Sequence, residues 1–442
     1  MRDLTKGKEA RVILKFAMPM LLGNVFQQLY NIVDSVVVGN FIGKEALAAV
    51  GASFPIIFAF LSMIIGIASG STIIIAQYFG AKDIEKVKRT INTLFIFLFF
   101  ASIAISIVGI LYSEEIFRLL KLPEEVIPQA TTYFNIFMAG VIVSFGFNGT
   151  SAILRGLGDS KTPLYFLIIS TVINIILDLV FVLVFKWGIA GAAYASVLAQ
   201  AGAFITAIIY LNKTHKVIHF SFKNLSFDTD IFKKSIKIGL PTGMQQTFVA
   251  LGMMALISIV NRFGTDVIAA YSVATRIDSL ASMPAMNFAA ALAAFVGQNI
   301  GAQKINRVRA GFIATLKMSS IISVIVSLTV FLFGEFIIKL FVNDPEVIRI
   351  GKEYLIIVGA FYIIFSAMFV IAGVMRGAGD TIIPMFISFI ALWIIRIPGA
   401  WILSKKIGEI GIWWAIPMGW FIGFTLAYIY YLTGNWKKKA LV

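Results

Sequence analysis

The sequence predicts an all-α membrane protein: twelve transmembrane helices in two six-helix lobes, related by a pseudo-two-fold axis along the membrane normal. Three observations predict it. Of 442 residues, 59% are hydrophobic and only 13% charged, and the mean hydropathy is +0.92, which excludes a soluble multidomain protein. Twelve apolar runs are long enough to span a bilayer. The second six repeat the first.

The runs fall near 12–38, 52–78, 90–112, 130–154, 163–185 and 189–211, then near 236–261, 268–297, 311–333, 351–374, 383–403 and 410–433. The most polar interruption separates an N-terminal lobe, 1–211, from a C-terminal lobe, 236–442, with a cytoplasmic linker at 212–235 between them. His215 and His219 fall in that linker and read as solvated loop residues. The chain start does not read as a signal peptide, since the apolar run after it is too long and lacks a small-residue cleavage site.

Short motifs recur at a fixed offset. Gln77-Tyr78-Phe79-Gly80-Ala81 returns as Gln298-Asn299-Ile300-Gly301-Ala302, and Arg155-Gly156-Leu157-Gly158-Asp159 as Arg376-Gly377-Ala378-Gly379-Asp380, both 221 residues on. Pro163 and Pro384 keep that offset, and Pro19 and Pro241 lie 222 apart. Six helices per copy is an even number, so both copies insert with the same topology.

The net charge of +15 would suggest nucleic acid in a soluble protein, but here the loops explain it. Loops on the side of the N-terminus carry 24 Lys and Arg, among them Lys82, Lys86, Lys88 and Arg89, against ten on the other side. By the positive-inside rule both termini are cytoplasmic, and no nucleic-acid partner is needed. The absence of cysteine removes disulfides, thiol nucleophiles and cysteine-based metal sites.

Polar residues inside the spans are the candidate site. The first span runs from Val12 past Asp34, which lies about 30 Å beyond Leu14 at 1.5 Å per residue. Gln27 is seven residues before Asp34 and shares its stripe, with Asn24 and Asn31 close to the same face. Asp178 lies in the fifth span, with Asn174 one turn before it, and Ser196 of the sixth span reaches a similar depth. A charged Asp at a helix centre costs roughly 2.5–3.5 kcal/mol even on the lenient insertion scale, so each is a functional candidate. The alternative for each is a structural hydrogen bond to a neighbouring helix. Two carboxylates in one low-dielectric pocket require that one take a proton or that a cation bind between them. Na+ at Asp34, Asp178 and Asn174 is one such case.

Neither carboxylate is duplicated in the second copy, where Asp34 is answered by Ala255 and Asp178 by the stretch through Ile397 and Pro398. That asymmetry assigns ion coupling to the N-terminal lobe and a different task to the other. Met253, Met254, Met283 and Met286 there are candidates for an adaptable surface toward apolar cations; ordinary packing or lipid contact is the competing reading. Arg276, Asp278 and Arg396 also lie within spans. The Arg-Gly-x-Gly-Asp loops lack phosphate-loop spacing and read as turns and helix caps.

Taken together, the paired motifs, Pro19, Gln27, Asp34 and Asn174-x-x-x-Asp178 resemble the multidrug and toxic compound extrusion family over nearly the whole chain. The resemblance implies exchange of inward H+ or Na+ for organic cations and related amphiphilic compounds moving outward, with no cofactor and no enzymatic step. It implies an ion site on Gln27, Asp34, Asn148, Asn174, Asp178 and Ser196, and a bend of the first helix at Pro19. A glutamate kept by some branches near the start of the seventh helix is replaced by Gln245 and Gln246, so the chain looks more like the branch named for a DNA-damage-inducible (DinF-type) efflux protein. These two glutamines, Arg276 and the four methionines are the candidate substrate-cavity residues. The protein is expected to work as a monomer in the cytoplasmic membrane of a prokaryote, in contact with lipid. A lipid-linked oligosaccharide flippase of the same superfamily is the competing function, kept open by Arg276 and Arg396 as partners for a pyrophosphate. An intramembrane enzyme has no supporting motif.

Overall fold

The computed structural model describes residues 3–214 and 226–441, and the described chain is almost entirely helical. His215 and His219 lie outside that range. In a bilayer core no water is present to satisfy backbone N–H and C=O groups, so apolar runs rich in Ile, Val and Phe become helices whatever their propensity in water. Among the described residues ten helices are individually long and apolar enough to cross a membrane, and two bent pairs bring the number to twelve.

The first half comprises α1 (Glu9–Phe41), α2 (Lys44–Gly80), α3 (Ile84–Leu111), a short α4 (Ser113–Leu119), α5 (Ile127–Ala139), α6 (Val141–Gly156), α7 (Lys161–Asp178) and α8 (Gly188–Thr214). The second comprises α9 (Thr229–Val260), α10 (Thr265–Gly301), α11 (Ile305–Lys339), α12 (Pro345–Gly359), α13 (Tyr362–Gly377), α14 (Ile382–Phe389), α15 (Ile397–Ile407) and α16 (Ile410–Thr433). Several helices run well beyond the apolar stretches that mark them in the sequence.

Two spans expected to be single helices are broken. α5 and α6 meet at 51° and α12 and α13 at 48°. The first break sits at Gly140, where a Cβ would lie 2.4 Å from Val197 Cγ1, so only glycine lets α8 pack against the corner. Two other spans pass through π-helical turns, Leu179–Val184 after α7 and Ile390–Arg396 before α15. The second precedes Pro398, which has no N–H to give to the turn before it; a wider turn accommodates that gap.

The chain forms two compact units, one dominated by Met18–Gly243 and the other made of Asp3–Ala17 with Met244–Val442. The division falls inside α1 and α9, within three residues of Pro19 and Pro241, and α1 remains helical through Pro19.

In the first unit α2 and the start of α9 touch backbone to backbone. A Cβ on Gly66 would lie 2.5 Å from Gly243 N, and one on Gly70 2.7 Å from Gly239 N. Two glycines four residues apart on each helix make this crossing. In the second unit the N-terminal arm is fastened to the repeated Gln-x-x-Gly-Ala loop. Leu4 N–H donates to Gln298 Oε1, Asn299 Nδ2 donates to Leu4 O, and Arg307 pairs with Glu9 at 2.8 Å. The core of this unit stacks Trp413 on Tyr271 at 5.7 Å, with Tyr354 edge-on at 5.0 Å. α11 presents Ile321, Ile325, Leu328, Leu332 and Phe336 outward, as a lipid-facing stripe requires.

The Arg-Gly-x-Gly-Asp loops end α6 and α13. Gly158 and Gly379 adopt φ of 79° and 94°, the left-handed conformation that favours glycine. Asp159 then accepts from the N–H groups of Lys161 and Thr162 at 3.1 Å and opens α7.

Candidate functional site

Within the first unit four sequence candidates come together. Asp34 of α1 is 6% exposed, Asn174 and Asp178 of α7 are fully buried, and Ser196 of α8 is 2% exposed. The two carboxylates lie within electrostatic reach of each other. Tyr30, one turn before Asp34, shares a 2.8 Å hydrogen bond with Ser196 Oγ and faces both acids. Tyr133 of α5, 7% exposed, faces them from another side.

The hydrogen bonding of this cluster is incomplete. Asp34 Oδ1, both oxygens of Asp178 and both polar atoms of Asn174 are buried with no partner in hydrogen-bond geometry. Five orphaned atoms in one place are far from the rule for protein interiors, where buried polar groups are nearly always paired. All but the Asn174 amide nitrogen are oxygens, hard donors of the kind that hold a proton or an alkali cation. Asp178 also ends an α-helix at the start of a π-helical turn, a distortion frequent at functional positions.

Other candidates lie elsewhere. Gln27 is exposed on α1. Asn148 is half-buried and gives its amide to Ser144 O, one turn back on its own helix, at 2.8 Å. In the second unit Met254 and Met286 are exposed, while Met253 packs against the core and Met283 is half-buried. Gln246 and Arg276 are exposed. Gln245 is buried and accepts from Arg376 Nη2 at 3.0 Å. Asp278 lies beside Arg396, Tyr354 and Tyr362, so its charged neighbour is Arg396 and not Arg276.

Tyr30 and Tyr133 were absent from the sequence-level site. Tyr30 had a signal in its one-turn spacing from Asp34. Tyr133 had a weaker one: its repeat counterpart at the 221-residue offset is Tyr354, which faces the second unit's half-buried Asp278.

Comparison with known proteins decides the family. The MatE family model matches twice, over residues 19–180 and 241–402, one match in each copy of the repeat. The chain belongs to the MatE family. It is 35% identical to the probable multidrug resistance protein YpnP of Bacillus subtilis over 99% of this chain and 98% of that one. It is 27% identical to the probable multidrug resistance protein NorM of Thermotoga maritima, over 97% and 94%. A crystal structure of a MATE protein in the straight conformation superposes with a TM-score of 0.92 at 23% identity, covering 99% of this chain and 98% of that one. As a MatE protein the chain is an integral membrane transporter and not an enzyme, and it needs no cofactor.

Proposed function

We propose that this MatE protein is a multidrug exporter that moves organic cations and other amphiphilic compounds outward in exchange for inward H+ or Na+. The relatives named as multidrug resistance proteins support the export of small molecules. The observation that carries the exchange is the set of orphaned atoms on Asp34, Asn174 and Asp178. Two buried negative charges cost several kcal/mol each unless compensated, and no Lys or Arg forms an ion pair with either acid among the described residues. A proton or Na+ is the compensation the site can draw from solution.

The residues then divide the work. Asp178 and Asn174 hold the ion from α7, and Asp34 responds to it from α1. Tyr30 links α1 to Ser196 of α8 through its 2.8 Å hydrogen bond. Pro19 leaves a carbonyl of α1 without its helical partner, so the helix bends at small additional cost when neighbouring groups re-satisfy it. Ion capture removes the charge that draws the outer part of α1 toward polar partners, and the lobes alternate access accordingly. A shift from 1:99 to 99:1 requires differential binding of about 5.5 kcal/mol. In this reading the first unit couples the ion and the second handles the organic compound. The protein works as a monomer in a prokaryotic cytoplasmic membrane with both termini inside.

The flippase reading loses ground at Arg396, whose charge is offset by neighbouring Asp278. Ethidium efflux from energised vesicles, with Na+ and H+ gradients imposed separately, tests the proposal. Export driven by one of the two gradients supports it, and export indifferent to both overturns it.

A further inference from the structure

One half-buried cation in the second unit plays no part in the exchange described above. Arg376 ends α13, and its guanidinium borders a cavity of about 20 Å³ whose walls are mostly apolar, including Met368, Phe369 and Ile387. Arg376 Nε is buried with no hydrogen-bond partner. Among the described residues no carboxylate comes within 4.0 Å of the guanidinium; Asp380, from the same loop, accepts instead from Tyr430.

The polar lining has donors left unspent. Gln245 Oε1 accepts from Arg376 Nη2 at 3.0 Å. Gln245 Nε2 donates to Ser388 Oγ and, at 3.4 Å, to Pro384 O. Gln245 Oε1, Ser388 Oγ and Pro384 O each accept one of these bonds, while the Arg376 Nε–H and the Ser388 hydroxyl proton remain to be given. An anion needs donors alone, and the buried Arg376 Nε–H is a charged donor left without an acceptor. The volume leaves room for a small occupant.

We propose that this cavity is a binding site for one small monovalent anion of the chloride class, held by Arg376 Nε and Ser388 Oγ. The bound anion ties α13 to α14, and Gln245 of α9 joins them through its own bonds to Arg376 and Ser388. Nothing in it depends on the ion site at Asp34 and Asp178.

The test uses the full-length protein. Crystals grown with bromide replacing chloride should show an anomalous peak within hydrogen-bond distance of Arg376 Nε. In detergent, melting temperature should rise saturably with chloride but not with gluconate at constant ionic strength, and Arg376→Gln should abolish that rise. Should Arg376→Gln fail to fold, Ser388→Ala serves: loss of one hydrogen bond to a charged group raises the half-saturating chloride concentration roughly tenfold or more. A cavity filled by water without anomalous signal overturns the proposal. So does a halide response that survives Arg376→Gln or, where that variant does not fold, is unchanged in Ser388→Ala.

Discussion

Replacing Gly239 by alanine sets two effects of known sign against each other. In an isolated helix the change stabilises by about 1 kcal/mol, the difference in helix propensity. At the crossing of α2 and α9, however, the new Cβ would lie 2.4 Å from Ile67 Cα, 2.8 Å from Gly66 O and 2.9 Å from Ile67 N. All three are backbone atoms, so no side chain can rotate away, and ordinary contact requires the helices to separate by about 1 Å. Overpacking of that kind typically costs about 1–3 kcal/mol, with lost backbone contact along the crossing in addition. The clash outweighs the propensity, and Gly239→Ala should lower the melting temperature in detergent. Each kcal/mol corresponds to roughly 2–4 °C for a unit of this size. Gly51 of α2 is the control, because a Cβ there meets nothing within 4 Å; Gly51→Ala should be neutral or slightly stabilising. Equal melting temperatures for Gly239→Ala and the wild type would refute the close crossing.

Further outcomes follow from the same geometry. Asp178→Asn should abolish gradient-driven efflux while the protein remains folded and inserted, as read by transport in vesicles and by size-exclusion profile; normal transport would leave Asp178 a structural residue. Tyr30→Phe removes the hydrogen bond to Ser196 and should cost about 0.5–1.5 kcal/mol of stability, measured by thermal unfolding, with slower exchange. A reporter active only outside the cytoplasm, fused after Val442, should stay silent. At the start of α3, Asp83 accepts from Lys86 N at 3.1 Å, and that bond holds its carboxyl below the ordinary value of 3.8. Its capping contribution is therefore complete above pH 3.8 and is lost as pH falls below it, which amide exchange at the first turn of α3 would report.

How much of this was legible in the sequence depended on the kind of residue involved. Asp34 and Asp178 stood out because a carboxylate in an apolar run is costly in lipid, and the first and fifth spans run in the same direction, which puts both acids at a similar depth. Tyr133 did not, because an aromatic residue in such a run looks like packing, and nothing local marks it as facing an acid two helices away. Gln27 shares a stripe with Asp34, but helical spacing reports direction and not cover; seven residues along α1, Gln27 is exposed. The amide of Asn148 is consumed by its own helix, a choice periodicity does not reveal. The helix count was legible from length and hydropathy. The 51° and 48° breaks were not, since they depend on how closely a neighbour such as Val197 approaches. The glycine crossing of α2 and α9 likewise needed the tertiary structure, because Gly66, Gly70, Gly239 and Gly243 are four glycines among 36.

The coupling role of Asp34 and Asp178 is tested most directly by the fate of the ion when substrate arrives. Purified protein in weakly buffered detergent solution, mixed with ethidium, should release a cation. A pH indicator reads it if the ion is H+, and displacement of bound 22Na reads it if the ion is Na+. The release should be absent from Asp34→Asn and from Asp178→Asn. The same release from both variants as from the wild type would contradict the exchange at this site.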